Sequence, residues 1–295
     1  MQIVIPMAGA GQRFRDAGYS RSKPFIPVSG LPMVVRAAQD LPPADRSIFV
    51  CRREHLRDDH AENVLSHHFP GCHIVVAPAL TEGQACTVRL AAPHLHPDEP
   101  VLVAACDNTH VYDSDEFLRR CQNPRLDALI WTYRGEPRVL VAPHMYGWVK
   151  TVDQLALDVS VKRPISQHPL GDHVVSGTFW FRRAGAMLDA IDELVETNTR
   201  INGEFYLDSV PNALLKHGGL VEVFETRKYI GWGTPADLLD YERWETYFRR
   251  TLACAGSPEP LSPTASISAA DHGLLSPGGG GDGVSIIPGT VPPTC

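Results

Sequence analysis

No long run of lysine or arginine stands out in the 295 residues, and the formal net charge is -7. Nucleic-acid binding usually calls for a basic stripe, so a nucleic-acid partner is set aside. No window reaches the roughly 20 apolar residues that cross a bilayer. The opening MQIVIPMAG carries no basic residue ahead of its apolar run, which breaks at Gly9, so it does not read as a signal peptide. A cytoplasmic protein with no membrane partner is expected. No C-x-x-C pair occurs among Cys51, Cys72, Cys86, Cys106, Cys121, Cys254 and Cys295. Neither a disulfide framework nor a structural zinc site is therefore supported. No aromatic residue follows Phe248, and no lysine or arginine follows Arg250. From Gly256 on, the chain is rich in Ser, Pro and Gly, including Gly278-Gly279-Gly280-Gly281. Such a segment cannot bury enough surface to offset its ordering entropy. The expected organisation is one folded domain over residues 1–250 and a disordered tail over 251–295, without internal repeats.

What is present in the first half is an alternation of short apolar runs and amphipathic stretches. Strands are expected at Gln2 to Met7, Ser47 to Cys51, His73 to Ala77, Pro100 to Cys106 and Asp127 to Tyr133. Helices are expected at Pro32 to Leu41, Arg53 to His68, Gly83 to Leu90 and Ser114 to Cys121. This β-α-β rhythm implies a mostly parallel sheet covered on both faces. After Gly135 the runs shorten. Val139 to Ala142, Gly147 to Val152 and Leu157 to Val161 read as a small antiparallel ribbon. Val174 to Phe181 and Leu220 to Glu225 read as further strands. Ala184 to Thr197, Tyr206 to His217 and Pro235 to Arg249 read as helices.

The most informative stretch begins where the first strand ends. In Ala8-Gly9-Ala10-Gly11-Gln12-Arg13-Phe14 the glycines let backbone N–H groups approach a ligand closely. Arg13 and Lys23 bring positive charge to the same region, the first as a planar fork and the second as a point charge. A P-loop would need G-x-x-x-x-G-K-[ST], which is absent. A dinucleotide-binding turn would need a third glycine where Phe14 stands, and Cys51-Arg52-Arg53 supplies no acidic residue after the second strand. A plain βα turn with two permissive glycines is the remaining alternative. Asp107 follows the apolar run Val101-Leu102-Val103-Ala104-Ala105-Cys106, at the strand end where open α/β sheets place ligands. A carboxylate there can hold Mg²⁺ against phosphate oxygens.

The opening motif, together with Lys23-Pro24-Phe25, resembles that of the sugar-phosphate nucleotidyltransferases, in particular the branch found among capsule and surface-polysaccharide genes. The likeness runs from Met1 to about Arg249. It implies a Rossmann-like three-layer α/β/α fold with a mixed, mostly parallel central sheet and a small antiparallel acceptor-side ribbon. It also implies transfer of a nucleotidyl group from a nucleoside triphosphate to a small phosphorylated acceptor, with Mg²⁺ as cofactor. By this resemblance Ala8, Gly9, Ala10, Gly11 and Gln12 hold the triphosphate, Arg13 neutralises the leaving pyrophosphate and Lys23 faces the α-phosphate. Glu82, Gly83 and Gln84, in Thr81-Glu82-Gly83-Gln84-Ala85, read the base. Asp107 takes the place of the metal-binding aspartate.

Three further segments resemble the family's acceptor walls. Tyr146-Gly147-Trp148 contributes Gly147 and Trp148, Val161-Lys162-Arg163-Pro164 contributes Lys162 for the acceptor phosphate, and Val175-Ser176-Gly177 contributes Gly177. Glu204 is expected beside them. The sequence departs from the family late in the chain, where Gly231 stands in place of a second metal-binding aspartate. Glu204 and Asp208 are the candidate replacements, with Asp208 favoured. His110 is read as structural, because a phosphate acceptor is already anionic and needs no base. The expected acceptor is a sugar 1-phosphate. A cytidylyltransferase using phosphocholine, a phosphonate or a phosphoramidate is the rival reading, and a non-catalytic nucleotide sensor is a rival of another class. Oligomeric state is left open, a homo-oligomer included.

Overall fold

The structure is a computed structural model that describes residues 1–254. β1 (Gln2–Pro6) leads through a glycine loop to α1 (Gln12–Asp16), a 3-10 turn (Lys23–Phe25), the small hairpin β2 (Pro27–Val28) and β3 (Leu31–Pro32), and then α2 (Met33–Gln39). β4 (Arg46–Arg52), α3 (Arg53–Asp58), α4 (Ala61–His68), β5 (His73–Ala77) and α5 (Gln84–Arg89) continue the alternation. β6 (Val101–Val103), β7 (Asn108–Val111), α6 (Ser114–Cys121) and β8 (Ala128–Tyr133) follow. The second part contains β9 (Gly147–Val152), β10 (Leu155–Val161), β11 (His173–Phe181), α7 (Ala184–Glu196), α8 (Val210–Lys216), β12 (Val221–Glu225), β13 (Lys228–Gly231) and α9 (Pro235–Cys254).

One mixed nine-stranded sheet runs in the order β5-β4-β1-β6-β11-β8-β12-β10-β9. β5, β4, β1 and β6 are parallel neighbours, and β12 is parallel to β8. β11 runs against both β6 and β8, so those two share one direction. At the far side β9 and β10 pair antiparallel, and β9 also touches β11 at His173–Val149 and Val174–Trp148, which curls that end of the sheet back on itself. This is the expected antiparallel ribbon.

The period of two along each strand builds two cores. Val4, Ile48, Val50, Val101, Val103, Ala128 and Ile130 face one side, where α5, α7 and α8 supply Val88, Ile191 and Val210. Ile3, Ile5, Phe49, Leu102, Leu129 and Trp131 face the other, where α2, α4 and α6 supply Val34, Leu65 and Phe117. Because both faces are covered, the strands read as near-continuous apolar runs.

Several local expectations are corrected. Val139 to Ala142 is not a strand. Pro137–Leu140 forms a 3-10 turn, and Pro143–Met145 forms another. Each has proline in its first turn, and a ladder needs the N–H that proline lacks. The single helix expected over Arg53 to His68 is two, broken at His60, whose φ of 53° is left-handed. The chain also forms a two-stranded ribbon, β7 with β13, that the sequence does not announce. α9 continues to Cys254, beyond the boundary expected at residue 250. The remainder of the expected tail lies outside the described residues. No described helix is long and apolar enough to cross a membrane.

Candidate functional site

The carboxyl ends of β5, β1 and β6 all open on one edge of the sheet. Met7 N–H donates to Val50 O (3.0 Å) and Ala104 N–H to Val4 O (3.0 Å), which fixes the points where the chain leaves the sheet. Beyond Met7 the backbone must turn sharply into α1. Gly11 does this at φ 63°, with its α-carbon packed so closely on Lys23 that an added Cβ would lie 3.3 Å from Lys23 Cβ. A side chain here would be strained twice, by the left-handed φ and by the contact.

The three loops enclose a cavity of about 450 Å³. Ala8, Gly9, Ala10, Gly11, Gln12, Arg13, Lys23, Thr81, Gly83, Gln84, Asp107 and Glu204 all line it. The structure therefore brings the glycine loop, both cations and the Asp107 carboxylate into one space. Lys23 Nζ donates to Asp107 Oδ2 in a partly buried ion pair. Burial works to lower the Lys23 pKa, but the charge and hydrogen bond of Asp107 outweigh it and the net direction is upward. The ammonium is thus held charged. Burial and the Asp107 charge push the neighbouring Cys106 thiol up to about 12, so it is not a thiolate nucleophile.

Asp107 is held from several sides. Its carbonyl accepts from Trp232 N–H (2.7 Å), and Asn108 Nδ2 donates to Ser176 O (3.0 Å) beside it. Gly233, just past the end of β13, approaches the same oxygen, and a Cβ there would sit 3.3 Å from Oδ2. A hard carboxylate oxygen on the wall of an open cavity fits Mg²⁺, which binds through one or two carboxylates together with phosphates and water. No cluster of three or more His, Cys, Asp or Glu side chains suited to a metal occurs among the described residues.

Gly83 and Gln84 stand at the start of α5. Gly83 has φ 131°, and a Cβ there would meet Phe205 O at 2.5 Å and Phe205 N at 2.6 Å. Gln84 lines the cavity, whereas Glu82 does not: its side chain is exposed and pairs with Arg200 (3.1 Å). Of the three residues expected at the base, Glu82 thus keeps its side chain outside the cavity that Gly83 and Gln84 line.

The acceptor-side residues lie around a second group. Lys162, itself at φ 62°, donates from Nζ to Met145 O and lies 5.2 Å from the Tyr206 ring. Burial lowers its pKa, Asp208 and Glu204 act against this, and Arg13 adds to it. Arg13 also acts on Tyr146 and Tyr206, so its charge reaches both the loop cavity and the Lys162 group. Gly147 is buried, with Asp208 packed where its side chain would be. Gly177, at φ 87°, lies in a bulge of β11 against Ala105 and Asn108.

Two expectations fail here. Trp148 is fully buried, packs with Tyr133, Val139 and Val174, and donates its indole N–H to Pro143 O (3.0 Å). It has no face left for an acceptor and belongs to the core. Asp208 does not line the cavity that holds Asp107; it lies against Gly147, with Lys162 as its charged neighbour. The carboxylate that shares Asp107's cavity is Glu204. Gly231 has a steric reason. A Cβ there would lie 2.8 Å from Cε1 and Oη of Tyr229, whose ring stacks on Tyr133 at 4.2 Å. His110 is buried and its pKa is lowered to about 3 by burial, in keeping with a structural role. Sequence reasoning missed Tyr229, since nothing in its flanking residues marks the ring as a neighbour of Asp107.

Comparison with known proteins bears on the family and the fold. A family model described as the MobA-like NTP transferase domain matches residues 3–178. A nucleoside-diphosphate-sugar pyrophosphorylase from Vibrio cholerae RC9 has a similar structure, with TM-score 0.66 and 21% identity, covering 82% of this chain and 99% of that one. An inositol-1-phosphate CTP transferase from T. maritima aligns with TM-score 0.64 and 17% identity, covering 82% of this chain and 93% of the other. At such identities the likeness speaks to fold. No curated protein matches by sequence.

Proposed function

Because this chain belongs to the MobA-like NTP transferase family and is a nucleotidyltransferase, we propose that it couples a nucleoside triphosphate to a sugar 1-phosphate and releases pyrophosphate. The observation that carries the reading is the shared cavity of about 450 Å³ into which the glycine loop, Arg13, Lys23 and Asp107 all project.

The proposed reaction is an in-line displacement. An oxygen of the acceptor phosphate forms a bond to the α-phosphorus, and the bond from that phosphorus to the bridging oxygen of pyrophosphate breaks. Loop N–H groups after Met7 hold the triphosphate. Arg13 stabilises the departing pyrophosphate, and Lys23 stabilises charge gathering at the α-phosphate. Fixed cations aimed at developing charge are the main device for such transfers. Asp107, with Glu204 in the same cavity, would hold Mg²⁺, which when bound supplies charge neutralisation between phosphate oxygens. Gln84 offers a donor and an acceptor to the base edge. Lys162 takes the acceptor phosphate, and Gly177 lets the acceptor approach the backbone; Gly147, whose open face is filled by Asp208, acts only by making room for that carboxylate. No covalent enzyme intermediate is required. Positioning and electrostatics do the work.

The test is a panel of four nucleoside triphosphates against sugar 1-phosphates, phosphocholine and a phosphonate, read by pyrophosphate release. Release with one sugar 1-phosphate supports the proposal. Release only with a non-sugar acceptor overturns its acceptor half, and nucleotide binding without release from any pair overturns it whole.

A further inference from the structure

The segment that carries Gln84 and the loop that carries Glu204, Tyr206 and Asp208 come from distant parts of the chain, yet they are zipped together. Phe205 N–H donates to Glu82 O (2.8 Å), and Ala85 N–H donates back to Phe205 O (3.1 Å). Gly83 lies between these bonds with no room for a Cβ against the Phe205 backbone. One side chain spans the junction. Arg200 donates to Glu82 Oε2 (3.1 Å), to Gly203 O (3.0 Å) and to Asn198 Oδ1 (2.6 Å), and its guanidinium lies 4.0 Å from the centre of the buried Phe205 ring.

We propose that Arg200 is a positioning residue that locks the nucleotide-side segment 81–85 and the acceptor-side loop 203–208 into one body, so that both substrates meet a preformed site. The proposal rests on the functional reading above, in which Gln84 faces the nucleotide and the Lys162–Glu204 group faces the acceptor. Its physical content is specific. None of the four Arg200 contacts is to a group that lines the nucleotide cavity. They hold the backbone of residues whose neighbours do. A planar guanidinium can make these contacts together, stacking on the ring while its edge donates to carboxylate and carbonyl, and an ammonium cannot.

Loss of the lock has a signature that a loss of local packing would not give. If the loop is free, each substrate must order it, so the apparent affinity of each falls by the same competent fraction. The first substrate to bind then bears the ordering cost and improves binding of the second. Synergy between nucleotide and acceptor therefore grows in the variant while both affinities weaken.

The experiment compares the wild-type chain with Arg200→Gln, Arg200→Lys and Glu82→Ala. Amide hydrogen exchange of the ligand-free proteins is measured first, because it does not depend on any substrate. In Arg200→Gln, exchange at Ala85 and Phe205 is expected to accelerate roughly ten-fold, the combined weight of a partly exposed ion pair and a cation–π contact. Arg200→Lys should fall between. Glu82→Ala, at a side chain that is 65% exposed, should give part of the effect and serves if Arg200→Gln does not fold. Steady-state pyrophosphate release is then measured with the pair found in the panel. KM should rise for both substrates, with kcat changed less and with greater synergy. Unchanged exchange at both amides overturns the lock, and so does a KM change confined to one substrate. Accelerated exchange with no pyrophosphate from any pair supports the lock and overturns the functional reading instead.

Discussion

Lys23 and Asp107, 84 residues apart in sequence, form an ion pair on the wall of the cavity that the glycine loop closes. One partner comes from the 3-10 turn after α1, and the other from the loop after β6. The pairing keeps an ammonium charged in a partly buried place and a carboxylate ready for exchange with a metal ion and phosphates.

From this pair follows the first expected outcome. Lys23→Ala removes charge from the developing transition state and leaves Asp107 without its counter-ion. A fall of about 10²–10³ in kcat is expected, the usual weight of one electrostatic stabiliser. Asp107→Ala should be at least as damaging. The double variant should lose much less than the product of the two losses, because the residues act on the same groups. Rates of pyrophosphate release, with circular dichroism to check folding, measure all three. Near-normal turnover by Lys23→Ala would sink the assignment.

Gly83→Ala tests the junction with Phe205. The added methyl would have to enter within 2.6 Å of backbone atoms, at a φ of 131° that side chains rarely adopt. Backbone cannot swing aside as a side-chain tip can. Loss of nucleotide affinity by more than about ten-fold and a lower Tm are expected together, as for strain at a special φ. Calorimetric titration and thermal melts read them. Native affinity would mean that the segment can shift at no cost.

Much of this was legible from local signals and some was not. The glycine loop and Asp107 follow strands whose apolar runs are continuous because both faces of the sheet are covered, so strand ends and the loops after them stand out, whereas Lys23, in the 3-10 turn after α1, is marked by the Lys23-Pro24-Phe25 string. The β7–β13 ribbon did not stand out. Asn108-Thr109-His110-Val111 is short and mostly polar, and its partner Lys228–Gly231 lies far along the chain, so no local pattern joins them. Trp148 was misplaced for a related reason. The Tyr-Gly-Trp string marks a strand, but which face of that strand meets the core depends on Tyr133 and Val174 from other strands. Asp208 shares a short segment with Glu204, and their destinations are separated by a backbone that is pinned at Phe205 to Glu82 and Ala85, contacts no local pattern announces.

Trp148→Phe turns that correction into an experiment. The change removes the indole donor to Pro143 O and leaves a void among Tyr133, Val139 and Val174. A loss of about 1–3 kcal/mol in unfolding free energy is expected for a large core side chain reduced in size, with the hydrogen bond included. KM for the acceptor should not change. Denaturant melts and initial rates separate the two. A raised KM at unchanged stability would return Trp148 to the acceptor wall.

Gly231→Asp asks whether a second carboxylate can be installed. The new side chain must pass within 2.8 Å of the Tyr229 ring, which is stacked on Tyr133 and cannot retreat freely. The single variant should lose stability without gaining divalent-ion affinity. Gly231→Asp combined with Tyr229→Ala should tolerate the carboxylate and bind Mn²⁺ more tightly than the wild type in the absence of nucleotide. Calorimetry with Mn²⁺ alone reads this, and tight binding by the single variant would show that Tyr229 is no obstacle.

Asp208 gives the pH dependence. Burial raises its pKa from 3.8 to about 6, against the opposing pull of Lys162. As pH rises from 3.8, the unfolded chain therefore loses this proton before the folded one does. Stability rises with pH only where the unfolded state holds more protons, and here it holds fewer, so the contribution of Asp208 falls across the window and levels above about pH 6. Asp208→Asn abolishes that fall, because the amide does not titrate. Thermal melts of the two proteins across the window should diverge as pH increases, the variant gaining relative to the wild type. Parallel curves would mean that Asp208 ionises as freely in the fold as in water, and that the Gly147 contact leaves it solvated.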